Sequence, residues 1–100
     1  MYKIIYLQAA KNDLYSIGDY YKAEFGKESA RKVVKSIQDV IKRLSMFPGS
    51  GSLTPDPELN DQGYRMVVSG RYVAVFRVIE NHIYIYHIFD TQMDYTKLFE

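Results

Sequence analysis

The chain has 100 residues, and its 13 Lys and Arg against 12 Asp and Glu give a net charge of +1. This length predicts one domain, spanning residues 1–100, that buries a single core. There is no cysteine, which excludes disulfides, thiolate metal sites and cysteine nucleophiles. Two histidines do not make a zinc site by themselves, and the near-zero charge argues against a strong nucleic-acid binder.

The first predicted element is a strand at residues 2–7, rich in Tyr and Ile. This apolar run is too short for a signal-peptide core or a membrane span, so we expect a cytoplasmic protein that makes no membrane contact. A helix then follows from about residue 9 to residue 25, because Ala10, Leu14, Ile17 and Tyr21 recur at helical spacing. Asp13 suits the positive end of its dipole, and Gly26 is a candidate C-terminal cap.

The second helix has the clearest pattern in the sequence, an apolar stripe that we expect to be buried against a sheet. Its residues are Ala30, Val33, Val34, Ile37, Val40, Ile41 and Leu44. Arg31, Lys35 and Lys42 share a different face of this helix. That face is either simply solvated or faces an anion or a partner, and the pattern leaves both interpretations open. Pro48 and Gly49 end the helix.

A polar loop at residues 48–63 contains all three prolines, and at this length it is either functional or mobile. Three runs rich in Val, Ile, Tyr and Phe follow at residues 64–90, separated by turn signals at Ser69-Gly70 and at residues 80–82, and they predict an antiparallel meander. The element order is therefore β-α-α-β-β-β. It predicts an α+β fold in which a helical hairpin packs on one face of a mainly antiparallel four-stranded sheet that the first strand joins.

Several short motifs, taken in this order, resemble the RelE/ParE superfamily of bacterial toxins from type II toxin–antitoxin systems. Ala10 and Asp13-Leu14 open the first helix, and the run LSMFP at residues 44–48 closes the second. Tyr64-Arg65 and the run YVAVFRV at residues 72–78 follow, and the tail carries Asp94-Tyr95 and Leu98-Phe99. The resemblance covers essentially the whole chain and is closer to the ParE-type members.

The resemblance implies a cytoplasmic toxin that inhibits growth, serves plasmid stabilisation and is neutralised by a cognate antitoxin. ParE-type members inhibit DNA gyrase, whereas RelE-type members are ribosome-dependent endonucleases that cut messenger RNA. RNA cleavage needs cations against the charged transition state. Where RelE-type members carry cations, this chain keeps only Arg65 and has Val67, Val73 and the pair Gln92-Met93 at the other positions. We therefore expect a ParE-like binder without catalytic residues, cofactor or metal; the alternative is a RelE-like endonuclease.

The alternative would use Arg65, Arg71, Arg77 and His87. The three arginines recur every six residues, so in one strand they would point the same way and form a cationic stripe toward an acidic partner. Arg77 could equally pair with Glu80 or with the acidic loop. His87 is either a general acid or base or a packing residue on the face of Ile83, Ile85 and Phe89.

Two further sets of candidates concern partners. The target-binding candidates are Arg65, Arg77, Tyr95, Lys97, Leu98 and Phe99. The antitoxin-binding candidates are Arg31, Lys35, Lys42, Tyr84 and Tyr86. The two tyrosines would be stacking platforms for nucleic acid, or would pack against the helices or an antitoxin. An antitoxin tail is expected to lie across the helical hairpin and to reach the sheet.

Overall fold

A computed structural model describes residues 1–93 and Phe99, and its architecture is a mixed sheet with two long helices on one face. The elements are β1 (Lys3–Tyr6), α1 (Gln8–Phe25), α2 (Lys27–Arg43), a 3₁₀ turn (Pro48–Ser50), β2 (Ser52–Leu53), α3 (Pro57–Asp61), β3 (Arg65–Ser69), β4 (Tyr72–Ile79) and β5 (His82–Asp90). The predicted α+β class is confirmed, but the sheet has five strands, in the order β1-β5-β4-β3-β2. In the described part of the chain, no helix has the length and hydropathy that a membrane span requires.

The first strand joins the sheet as predicted, and it does so in parallel with β5. The other neighbouring strands are antiparallel, as expected for a meander. The additional strand, β2, is only two residues long and pairs with β3. A strand this short has no periodicity from which it could be recognised, which is why the sequence predicts a loop there.

The helical hairpin is formed by α1 and α2, and Gly26 joins them with a φ of +93°. This positive φ is a conformation that glycine adopts without strain, which agrees with its predicted role as a cap. Gly18 lies where the helices approach each other, since a Cβ there would be 3.3 Å from Cγ2 of Val34. The close approach explains why a residue of low helix propensity stands in the middle of a helix.

The main core lies between this hairpin and the sheet, where Ile37 and Ile41 of α2 and Leu44, just after it, are each at most 2% exposed. They pack with Phe76 of β4 and with Ile83, Ile85 and Ile88 of β5. Ala30 and Val34 belong to the same apolar stripe but are only half-buried and line an open groove between the helices. The prediction that the whole stripe is buried against the sheet is therefore wrong for Ala30 and Val34, whereas the half-buried Val33 does pack against the main core.

A shift in register interrupts β5. Val75 pairs with His87, but its neighbour Phe76 pairs with Ile85, so Tyr86 is an extra residue in the ladder. The extra residue reverses the side-chain alternation that follows it. His87 therefore shares a face with Phe89 but not with Ile83 and Ile85, and the predicted grouping of all four is wrong.

A second, smaller core occupies the sheet face opposite the helices. It consists of Leu59, Tyr64, Val73, Val75 and Phe89, with Met66, Tyr86 and Phe99 packed against it. Leu59 is held there by the loop before β3, which is ordered around Thr54 and Asn60. The Asn60 amide accepts from the Thr54 backbone N–H at 2.7 Å and donates to the Thr54 carbonyl at 2.8 Å. The loop is thus structured by side-chain bonds that substitute for a strand partner.

Candidate functional site

The first candidate surface is a groove of about 790 Å³ between α1 and α2. Its apolar lining comes from both helices and includes Leu14, Tyr15, Ala30 and Val34. Tyr15 is 77% exposed, so its ring is available to a partner without unfolding any part of the chain. A groove of this kind can accept the apolar face of an amphipathic helix.

Basic side chains surround the groove. Lys11, Lys22, Arg31 and Lys35 line it, against the single acidic side chain of Asp19. Arg31 and Lys35 form ion pairs with Glu28 and Asp39, at 3.4 and 2.8 Å. Both ion pairs are exposed and contribute little to stability, although the hydrogen bond from Lys35 lowers the pKa of Asp39. The lining therefore favours a partner that carries acidic groups beside its apolar ones.

Tyr6 at the end of β1 also lines this groove. Burial raises the pKa of its phenol, so the hydroxyl stays protonated and can donate a hydrogen bond. The groove therefore runs from the hairpin to the edge strand of the sheet. Of the antitoxin-binding candidates, Arg31 and Lys35 lie on the groove. Lys42 is not among its lining residues, and Tyr84 and Tyr86 lie on the far side of the sheet.

The second candidate surface is centred on Arg77, on the sheet face away from the helices. Its Nε and Nη2 donate to the Tyr86 hydroxyl at 2.9 and 2.7 Å, and its guanidinium carbon lies 4.8 Å from the centre of the Tyr64 ring. The hydrogen bonds to Tyr86 raise the pKa of Arg77, which keeps it cationic. Arg77 thus bonds neither Glu80 nor the acidic side chains of the loop; Gln62 offers only its carbonyl oxygen, at 3.4 Å from Nη1.

Tyr64 links Arg77 to the C-terminal region. Its ring lies 4.8 Å from that of Phe99, in an edge-to-face arrangement, and 5.0 Å from that of Tyr86. Two target-binding candidates, Arg77 and Phe99, therefore contact one buried tyrosine. Tyr95, Lys97 and Leu98, the other candidates from the tail, lie outside the described residues.

Asp13 joins α1 to β5 just past the end of the β1 ladder. Its Oδ2 accepts from the Ile88 backbone N–H at 2.9 Å and lies 3.2 Å from His87 Nδ1. The His87 ring also packs edge-to-face with the Phe99 ring, and the ring centres are 5.5 Å apart. Asp13 lies well inside α1, which begins at Gln8, so its role is to bind the sheet and not to interact with the helix dipole as the sequence predicted.

The three arginines do not form the predicted cationic stripe. Arg65 is opposite Phe76, which faces the helices, and it donates to the Tyr64 carbonyl at 2.8 Å. Arg71 lies in the turn before β4, where it donates to Asp90 at 2.8 Å from Nε. Spacing of six conserves direction only within one continuous strand, and here the chain turns between the positions.

The four residues of the endonuclease alternative are held at separate places in the fold. His87 is engaged by Asp13 and Arg71 by Asp90, whereas Arg65 and Arg77 lie on opposite faces of the sheet. Within residues 1–93 and 99, no group of three or more His, Asp or Glu side chains is arranged to hold a metal ion. These side chains do not converge on one point where a phosphate could react.

The sequence pattern missed three residues that shape these surfaces. Tyr64 belongs to a family-like motif in the sequence, but its position just before Arg65 gives no sign that its ring meets those of Tyr86 and Phe99. Gly18 carried a usable signal, because glycine inside an amphipathic helix often marks a close helix contact. Tyr15 falls on the polar side of the predicted α1 periodicity, and only the crossing of the helices makes it part of a groove.

Comparison with known proteins gives a consistent result. The family model described as "ParE toxin of type II toxin-antitoxin system, parDE" matches residues 4–95. A solved structure described as the chromosomal ParDE toxin–antitoxin system from P. aeruginosa is 29% identical, covers 90% of this chain and 96% of that chain, and has a TM-score of 0.75. The YoeB–YefM toxin–antitoxin complex from Staphylococcus aureus is 21% identical and shares the fold, with a TM-score of 0.53. The match covers 87% of this chain and 93% of that chain. No curated protein matches this chain.

Proposed function

Since this chain belongs to the ParE toxin family of type II toxin–antitoxin systems, we propose that it arrests bacterial growth by binding and inhibiting DNA gyrase. The proposal places its action in the cytoplasm and assigns it no chemistry, cofactor or metal of its own. The observation that supports binding over cleavage is the dispersal of the candidate nuclease side chains over different faces of the sheet. Cleavage would need several of them within reach of a single phosphate.

A cognate antitoxin completes the proposal. Its segment would lie in the groove between α1 and α2 and would extend toward β1, where Tyr6 lines the end of the groove. The apolar lining and the basic rim suit an amphipathic helix with acidic side chains. This arrangement agrees with the docking that the sequence predicted, although the far-side Tyr84 and Tyr86 would not contribute to it.

The test compares the two activities of the superfamily with one purified protein. Supercoiling by gyrase on a relaxed plasmid should be inhibited in a dose-dependent manner, and messages on translating ribosomes should remain intact. An Arg65→Glu variant should weaken inhibition, because it reverses the charge of a target-binding candidate. Codon-positioned cuts in ribosome-bound message that disappear in a His87→Gln variant would contradict the proposal and support the endonuclease.

A further inference from the structure

Part of the sheet face opposite the helices is left uncovered by the described residues. Two neighbouring rows cross β1, β5 and β4 on this face: Ile5, Tyr84 and Arg77 form one, and Lys3, His82 and Ile79 form the other. We call these six residues the open face. Ile79 is 43% exposed, and Phe99 lies further along β5, against His87 and Tyr64. The open face thus combines aliphatic and aromatic side chains with two cations.

Arg77 is held on this face with part of its donor capacity unused. A guanidinium has five N–H groups, and the edge formed by Nε and Nη2 is occupied by the Tyr86 hydroxyl. The Gln62 carbonyl takes one N–H of Nη1 at the long distance of 3.4 Å. One N–H of Nη2 and one of Nη1 remain without a strong acceptor, so the end-on edge formed by these two nitrogens can bind the two oxygens of a planar anion if the anion displaces the weak Gln62 contact.

Arg77 differs in this respect from Arg71 and Arg31. Those two have carboxylate partners, Asp90 and Glu28, whereas among residues 1–93 and 99 no carboxylate forms an ion pair with Arg77. Its side chain is nevertheless ordered by Tyr86 and Tyr64, so little conformational entropy would be lost when an anion binds.

From this geometry we propose that the end-on edge of Arg77 binds the carboxylate of an Asp or Glu side chain on the toxin's target protein, with the open face packing around it. This inference rests on the proposed function, in that it needs a protein target, but it does not depend on which protein that is. Tyrosine and arginine in a desolvated setting are the residues that most often dominate the energetics of protein interfaces.

Three observations favour a protein carboxylate over the phosphate of a nucleic acid. Backbone binding to nucleic acid uses several cations together, and Lys3 lies two strands away from Arg77. Ile5 and Ile79 offer aliphatic contacts that a sugar–phosphate chain does not use. Tyr86, one of the two tyrosines predicted as stacking platforms, has its hydroxyl bound to Arg77 and its ring edge-to-face with Tyr64.

The first test uses three variants in the supercoiling assay. Arg77→Gln should raise the toxin concentration for half-inhibition by about tenfold to a hundredfold, as expected when a charge-assisted bidentate contact is lost. Arg77→Lys should lose nearly as much, since an ammonium keeps the charge but not the fork. The matched control is Arg43→Gln, an exposed helix residue that changes net charge equally and should shift the value by no more than about threefold. Equal effects of Arg77→Gln and Arg43→Gln would overturn the inference while leaving gyrase inhibition intact.

A second measurement needs neither a variant nor a target, so it decides the inference even if gyrase is not inhibited or Arg77→Gln fails to fold. The side-chain N–H resonances of ¹⁵N-labelled wild-type protein would be titrated with sodium acetate and, at matched ionic strength, with inorganic phosphate. Saturable shifts at Arg77 with acetate, together with smaller shifts at the already paired Arg71, would support the carboxylate site. Equal shifts at both arginines, or a clear preference of Arg77 for phosphate, would overturn it.

Discussion

Gly70 and Glu80 occupy the first central position of two-residue hairpin turns, and they share an unusual backbone conformation. Their φ angles are +58° and +56°. Hairpin turns of this length need a positive φ at that position, which glycine adopts freely but a residue with a Cβ adopts at a cost of about 1 kcal/mol. Glu80 is exposed, so its side-chain contacts do little to offset this cost in folding free energy. The strain at Glu80 is a local property, and glycine at this position would remove it.

We therefore expect Glu80→Gly to stabilise the protein by about 0.5–1 kcal/mol, because it removes strain in the folded state. The matched control is Asn81→Gly, the next residue of the same turn, whose φ is not positive. At that position glycine mainly increases the conformational freedom of the unfolded chain, so Asn81→Gly should destabilise the protein. Urea unfolding of both variants measures the difference, and a loss of stability in Glu80→Gly would show that the strain does not limit the turn.

At the scale of elements, α2 shows how one helix serves two surfaces. Ile37, Ile41 and the C-capping Leu44 are buried against the sheet, whereas Ala30 and Val34 line the groove beside α1. An apolar stripe that is continuous in sequence is thus divided between the main core and the open groove. Substitutions along this stripe should accordingly separate stability from partner binding.

Ile37→Ala should cost about 2–5 kcal/mol, the range for transfer and cavity terms when a buried aliphatic side chain is truncated. Ile37 is 2% exposed and belongs to the main core. Lys32→Ala on the exposed side of α2 is the control, with an expected change within about 0.5 kcal/mol. A loss below about 1 kcal/mol for Ile37→Ala in chemical unfolding would mean that the core tolerates the cavity and that packing of α2 on the sheet is not what stabilises the fold.

The molecule as a whole presents its two candidate surfaces on opposite sides of one sheet. The groove lies among the helices, and Arg77 and the open face lie beneath the sheet. Asp13 on α1 reaches His87 and Ile88 on β5, so the two sides are in direct contact at one point. Because the two surfaces lie on opposite faces, an antitoxin in the groove would not cover the surface proposed for the target.

We predict that a complex with the cognate antitoxin buries more than about 1,200 Å² in total, the scale of a specific interface, and that it uses the groove. Tyr15→Ala should then weaken antitoxin binding by about tenfold or more, measured by titration calorimetry. Tyr20→Ala is the matched control, because Tyr20 is a 54% exposed tyrosine on the same helix that does not line the groove. Equal affinities for the two variants, or a complex in which the antitoxin contacts only residues 48–63, would contradict this docking.

The sequence by itself determined the first strand, the two long helices and the meander, and their order, but not β2 or α3. Helix spacing in α1 and α2 and the Val-, Ile- and Tyr-rich runs of the meander are set by periodicity within short segments. Gly26 and Gly70 marked a cap and a turn because no other residue type adopts their φ angles as easily. The family resemblance also came from motifs that are contiguous in the chain, and the match of the ParE toxin family model to residues 4–95 confirmed it.

Only the tertiary structure decided the register and the surfaces. One extra residue in β5 reversed the faces of His87 and Phe89, and a turn placed Arg65 and Arg77 on opposite sides of the sheet. Asp13 found its partners 74 and 75 residues away, and Tyr64, Tyr86 and Arg77 met only through strand pairing. Such contacts depend on the relative placement of distant segments, and no local pattern of residues encodes that placement because side-chain direction in a strand changes with every one-residue shift.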